Sequence, residues 1–219
     1  MKLALCSFLT VFMLIAFAEV SESQMAFGRP PDMAGVFNPV VGNGASYDVT
    51  KKNGEKTNFD IYVVDKESGG YWVEYTFQNP QEHGSIYAKI LLAHQGDDVV
   101  VQRTIVQMPG QSPMDMSSMP RAMQSRESKA DMRSNAQDMG TETVTTPAGS
   151  FSCQHWRDKK NGDDYWISDK VTPWQLVKMT GTDKNTVILA KVITGAKTHI
   201  TGTPVSMQDM MRGMGRPNQ

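Results

Sequence analysis

Apolar and polar side chains alternate in short runs along most of this chain. Phe59, Ile61 and Val63 alternate with Asp60, Tyr62 and Val64, the period of two expected of a half-buried strand. In YWVEYTFQ the residues Tyr71, Val73, Tyr75 and Phe77 share one face. SIYAKILLA and DVVVQRTIV follow as two further strands. Turn signals punctuate the runs. Asn53-Gly54 suits a type I′ hairpin turn between ASYDVT and NFDIYVV, and Ser68-Gly69-Gly70, NPQEHG and HQGD break the later runs. The pattern resumes with TETVTT and SFSCQHWR around Pro147-Ala148-Gly149, then DYWIS, WQLVKMT, NTVILAKVIT and KTHITG. KKNGD at 159–163 repeats the KKNGE of 51–55, but the flanking strands do not match, so this is recurring turn chemistry. Roughly ten short strands with hairpin-length links predict a mainly β fold: a curved antiparallel sheet forming a half-barrel or open barrel, or a sandwich. No helix alternates with the strands, which argues against a parallel α/β architecture.

One segment breaks the pattern. Residues 112–140 read as a helical insert, with the helix at about 117–139 capped by Ser117 or Ser118, carrying Pro120 in its first turn and ending at Gly140. Its apolar residues make two partial stripes, 119/123/130 and 132/136/139, rather than one face. The expected organisation is therefore an arm at 19–43, rich in Pro, Gly and Ser, a β domain at 44–206 and a tail at 207–219. Met207, Met210, Met211 and Met214 in that tail have the spacing of one helical face.

The first 18 residues, MKLALCSFLTVFMLIAFA, read as a secretory signal peptide: Lys2, an apolar run too short to span a bilayer, and a small-x-small site ending at Ala18. Cleavage after Ser23 is the second choice. The expected location is periplasmic or secreted. Without the leader the net charge is near −2, which argues against nucleic-acid binding. Cys6 leaves with the leader, so Cys153 is the one cysteine of the exported chain and no intramolecular disulfide forms. The fold must rest on a packed core, and a monomer is expected.

The run TETVTTPAGSFSCQHWR…DDYWISDKVTPWQLVKM resembles secreted bacterial envelope proteins of uncharacterised function, in which a TPAG-x-F turn leads into a strand, a W-x-S strand and a return strand after proline. Their architecture is similar to the lipoprotein carriers of the LolA and LolB type. The resemblance implies a curved antiparallel sheet with a helical insert against its concave face and a cavity able to hold an acyl chain. It transfers no individual residue.

Methionine carries the candidate chemistry. Of 16 in the chain, seven fall in 108–139 and four in 207–214, while the expected sheet holds Met179 alone. Flexible, polarizable thioethers make adaptable apolar surfaces. On that reading Met116, Met119 and Met123, with Tyr75, Trp156 and Trp166 from the sheet, hold a lipid, an acyl chain or a lipidated protein. Thioethers also select Cu(I), and Met114, Met116 and Met119 have close enough spacing for such a site, joined by Cys153 and His155 if the insert covers their strand. The plain alternative is a structural envelope protein with no small ligand. Cys153 and His155, two apart on a strand, should share a face, as a metal pair, an activated thiolate or a buried thiol beside a hydrogen-bonded histidine. His83, His94 and His199 read as surface residues, and Asp97-Asp98 and Asp163-Asp164 as turn residues. The chain has no GxSxG, P-loop, GxGxxG or HExxH motif, so no enzyme activity and no organic cofactor is expected.

Overall fold

The computed structural model describes residues 35–67, 69–79, 84–117, 128–206 and 209. The strands, in chain order, are β1 (Gly44–Thr50), β2 (Lys56–Glu67), β3 (Gly70–Asn79), β4 (Gly84–Gln95), β5 (Asp98–Gln107), β6 (Met114–Asp115), β7 (Ser128–Lys129), β8 (Ala136–Thr146), β9 (Gly149–Asp158), β10 (Asp164–Ile167), β11 (Leu176–Thr180), β12 (Thr186–Ile193) and β13 (Val205–Ser206). All belong to one sheet, in the order β13-β6-β5-β4-β3-β2-β1-β12-β11-β10-β9-β8, with β7 on β5. Every pairing is antiparallel except β6–β13. The sheet is curved and open rather than closed into a barrel, as the alternation predicts. Three strands beyond the legible runs, β6, β7 and β13, are two residues long. Among the described residues no helix is long and apolar enough to cross a membrane.

The core lies on the inner face of the curve. Tyr47, Phe59, Ile61, Val63, Val73, Tyr75, Ile90 and Leu189 are buried there, and Phe151, Tyr165, Val171, Trp174 and Leu176 from the other half of the chain join the same cluster. The buried Tyr47 hydroxyl donates to the Leu176 carbonyl at 2.8 Å, tying β1 to the start of β11. Residues 35–38 brace the curve. Val36 and Asn38 donate backbone hydrogen bonds to the carbonyls of Trp174 and Pro173, at 2.9 and 2.7 Å. Phe37 donates to Ala130 at 2.7 Å, and Met132 donates to Gly35 at 2.9 Å. The Phe37 ring sits 4.8 Å from that of Trp174. Only glycine fits at 35, because a Cβ there would lie 2.1 Å from the Trp174 carbonyl oxygen.

The structure corrects several sequence readings. The helix over 117–139 is absent among the described residues: Ser128–Lys129 is strand β7 on β5, Met132–Asn135 is one 3-10 turn, and β8 starts at Ala136. Of the second stripe, Met132 lies in the 3-10 turn and Ala136 and Met139 lie on β8. Asp131 instead caps the short turn through the Arg133 N–H. Residues 118–127, with Met119 and Met123, lie outside the described residues, as do the expected signal peptide, most of the expected arm and the methionines of the tail. Residues 35–43 of the expected arm are part of the fold. The Asn53-Gly54 turn is not type I′: Gly54 has a positive φ and Asn53 does not, and Lys51 N–H bonds to the Glu55 carbonyl at 2.9 Å across a longer loop. KTHITG is not a strand. It crosses the outer face of the sheet and buries Glu74.

That crossing satisfies the one acidic side chain among the described residues with no solvent exposure. Glu74 accepts from the Thr198 hydroxyl at 2.5 Å, from the His199 N–H at 2.9 Å, and faces His199 Nδ1 at 2.8 Å. His199 stacks on Tyr87 at 5.0 Å. Ile200 packs against Trp72, Leu91 and Ile105. A buried carboxylate without such donors is strongly unfavourable.

Gly35→Ala should lower stability by about 1–3 kcal/mol, the usual cost of overpacking. Thr198→Val should lower it by about 1–3 kcal/mol by leaving a buried carboxylate oxygen short of a donor. Urea unfolding followed by tryptophan fluorescence measures both; an unchanged midpoint for Gly35→Ala would show that the brace is not held as described.

Candidate functional site

Across the inner face, direct cross-strand pairing lines up Val49, Val187, Met179, Tyr165 and Trp156, on β1, β12, β11, β10 and β9. Cross-strand neighbours of this kind sit close enough to form a continuous apolar strip. Tyr165 is buried, while the other four are partly exposed and packed on the core. A groove of about 580 Å³ opens beside the β1–β2 hairpin and reaches Val49, with Thr57, Asn58, Gln78 and Ile188 on its walls. At the far end of the strip the Trp156 indole N–H is buried and has no hydrogen-bond partner among the described residues. Such an orphaned donor is uncommon. Burial holds the Tyr165 hydroxyl protonated by raising its pKa to about 12.

Behind the strip lies an aromatic stack. Tyr47 and Phe59 are 5.3 Å apart, Phe59 and Phe77 are 6.2 Å apart, and Tyr75 and Phe77 are 6.2 Å apart and nearly parallel. Tyr75, a sequence candidate for ligand contact, is 2% exposed and packed among the protein's own side chains.

Trp166, the third aromatic candidate, lies on the opposite face of β10 from Tyr165. It pairs with His155, and their rings stack at 4.4 Å. Lys178 Nζ sits 4.4 Å from the Trp166 ring centroid, and the Trp166 indole donates to Glu142. His155 faces two carboxylates, Asp164 at 2.8 Å and Glu142 at 3.2 Å. Arg157 also binds Asp164, through Nε at 2.9 Å. Partial burial would raise the Asp164 pKa, but Arg157 and His155 outweigh it and hold it below the ordinary carboxylate range. Every polar group named in this patch already has a partner.

Cys153 and His155 share a strand face by spacing, yet they do not form a pair. Phe151 and Cys153 belong to the core cluster, while His155 stacks on Trp166 and its ring nitrogens face Asp164 and Glu142. The thiol is 1% exposed and donates to the Phe151 carbonyl at 3.5 Å. Burial, aided by the Glu142 carboxylate, pushes its pKa up to about 11, the reverse of an activated thiolate. Among the described residues no group of three or more His, Cys, Asp and Glu side chains is arranged to hold a metal ion. Met114 lies on β6, between β5 and β13 in the sheet, and Cys153 on β9. Met116 packs against the inner core.

The sequence reading brought Trp156 into the site but missed Val49, Val187 and the role of Met179. The signal for them was strand register, which no single run discloses. The Cys153 geometry carries its own test. Ellman's reagent at pH 8 should react with Cys153 only as the protein unfolds, and fast reaction in the native state would contradict the buried thiol. Because the fold favours the protonated thiol, this group adds stability below the ordinary thiol pKa of about 8.5. That contribution is lost as pH rises toward about 11.

No protein-family model matches this chain, and no curated protein sequence matches it. Several solved structures are similar to it in three dimensions. One is a protein described as exported, with a YmcC-like fold, from Bacteroides fragilis, at 14% identity over 73% of this chain and 99% of that chain, with a TM-score of 0.35. Another is the MucA/MucB complex of Pseudomonas aeruginosa, at 11% identity over 74% of this chain and 55% of that chain, TM-score 0.44. A third is a LolA superfamily protein from Nitrosomonas europaea, at 9% identity over 82% of this chain and 95% of that chain, TM-score 0.27. The similarity is one of fold outline.

Proposed function

We propose that this chain is an exported, non-enzymatic binding protein for an amphiphile with an acyl chain, free or carried by a lipidated protein. The observation that carries the reading is the apolar strip from Val49 to Trp156, ending at an indole N–H without a partner. An acyl chain entering by the groove at Val49 lies along Val187 and Met179, and its carbonyl or carboxyl oxygen accepts from Trp156 Nε1. Tyr75 and Phe77 form the rigid wall behind it. Met116 packs against the same core; Met119 and Met123 lie outside the described residues. The leader at 1–18 supports export. Cys153, buried with its thiol pKa pushed up to about 11, is poorly suited to act as a nucleophile, which fits a binding role.

The test is native mass spectrometry of the full exported chain from a periplasmic preparation, followed by titration with a fluorescent fatty acid. A co-purifying mass of lipid size and saturable binding are expected. Trp156→Phe keeps the ring and removes the donor, so it should weaken binding about three- to tenfold, the worth of one hydrogen bond. Met179→Asn, which places an amide in the strip, should weaken it further. A clean apo mass that binds no fatty acid would overturn the proposal.

A further inference from the structure

The chain repeats one turn, KKNGE at 51–55 and KKNGD at 159–163, and the fold sets both copies at the same end of the sheet. In the order β2-β1-β12-β11-β10-β9 the strands are linked in pairs by three hairpin turns, at 51–55, 181–185 and 159–163. All three lie at one end, because Thr50 pairs with Thr186 and Asp164 with Thr180. They are also bonded to one another. The Lys52 N–H donates to Asn185 Oδ1 at 2.8 Å, and the Thr182 N–H donates to Asp163 Oδ1 at 2.9 Å. We propose that this rim of turns is a docking surface for an anionic lipid bilayer, with the groove at Val49 opening beside it.

Residues 51–56, 158–163 and 181–185 carry six lysines and four carboxylates, a balance of +2 in a chain of net charge −1. The two signs are held differently. Asp158 Oδ1 accepts from the N–H groups of Lys160 and Asn161 at 2.7 and 3.0 Å. Asp163 accepts from Thr182, and Asp183 accepts from the Asn185 N–H at 3.0 Å. Glu55 pairs with Lys51 at 2.7 Å. The carboxylates are thus drawn back onto the turns or matched. Lys52, Lys56, Lys159, Lys160 and Lys184 are exposed, and among the described residues none of them forms an ion pair. A lysine carries its charge at the end of a long flexible stem, so these ammonium groups are the outermost charges of the rim. Screening over about 8 Å at physiological salt makes the outermost charges count most for a surface that meets it. Lys184 has a φ of 70°, where glycine or asparagine sits more easily, and the turn places a lysine there instead.

Spacing selects the kind of anion. Neighbouring strands lie about 4.8 Å apart, so the first and last of the three turns are roughly 20 Å apart along the sheet. Charges spread over that length do not converge on a single phosphate. They match the many headgroups of a bilayer, where each lysine near an anionic leaflet adds to the attraction. The groove is the second observation. Its walls include Thr50, Lys56 and Thr57, which flank the 51–55 turn, together with the carboxylate of Asp48. A protein docked by the rim holds the mouth of the groove at the headgroup layer, where an acyl chain leaves the bilayer. The docking stands on the charges of the rim; its purpose rests on the acyl-chain reading.

The test is co-sedimentation of the full exported chain with sucrose-loaded vesicles of phosphatidylglycerol and phosphatidylcholine, and with vesicles of phosphatidylcholine alone. Binding to the anionic vesicles only is expected, weakening as salt is raised to about 0.15 M. Lys52→Gln/Lys159→Gln/Lys184→Gln, one lysine from each turn, should weaken it at least about tenfold. Lys170→Gln/Lys191→Gln/Lys197→Gln removes the same charge from exposed positions away from the rim and should weaken it less than about threefold. Circular dichroism checks that both variants are folded. Absence of binding to anionic vesicles at low salt overturns the proposal, as does equal binding to phosphatidylcholine or equal loss in the two variants. A tighter hold on soluble polyglutamate than on the vesicles also overturns it, in favour of an acidic protein partner. The fatty-acid titration without vesicles reads the acyl-chain proposal separately, since neither variant touches the strip from Val49 to Trp156. A chain that docks but binds no fatty acid overturns that reading and leaves the docking rim standing.

Discussion

Among the described residues no helical layer lies over the apolar face of the sheet, so the sheet itself must cover it. That constraint organises this protein. Thirteen strands in one sheet present more inner surface than loops alone can shield, so the two halves of the chain curl toward one core. Tyr47, Ile61 and Val73 come from one half and Phe151, Trp174 and Leu176 from the other. Burying a large aliphatic or aromatic side chain is worth roughly 1.5–3 kcal/mol, and here that gain is available only if the curvature is kept. The brace at 35–38 maintains it with backbone hydrogen bonds to both sides of the opening.

Much of this was legible in the sequence, for a simple reason. A strand with one buried face writes itself as alternation, and Phe59, Ile61 and Val63 or Tyr71, Val73 and Tyr75 could hardly be read otherwise. The ten longer strands follow such runs. What remained hidden was set by contacts between distant segments. Glu74 and Tyr62 occupy outward positions and look solvated, yet both are buried under residues 197–203, a segment whose own composition resembles a short strand. The two-residue strands are too short to carry a period. Within the described part of the helix expected at 117–139, Ser128, Lys129 and Asp131 take β partners on β5 and at Val36 instead.

Trp156 was picked out as an aromatic in a strand, but its partners Val187 and Met179 were not, because register is a property of pairs of strands. The same limit applied to methionine. Composition showed that the residue was segregated into two segments; the placement of Val205 opposite Met114 on β6 came only from strand pairing. Cys153 was the opposite case. Local spacing left a metal pair, an activated thiolate and a buried thiol beside a hydrogen-bonded histidine open, and the structure shows a thiol 1% exposed and a histidine bonded to Asp164.

The strand order also fixes a sequence of events. β1 meets β2 through a five-residue connection, but its other edge is completed only by β12 at Thr186–Ile193. During synthesis the first five long strands can therefore assemble while one flank of β1 stays bare, with unpaired N–H and C=O groups beside Ala45 and Tyr47. An open flank of that kind recruits other extended chains, and contacts so distant in sequence form slowly. The interval before the last strands arrive is thus when this protein most needs a holdase, whatever its finished form goes on to bind.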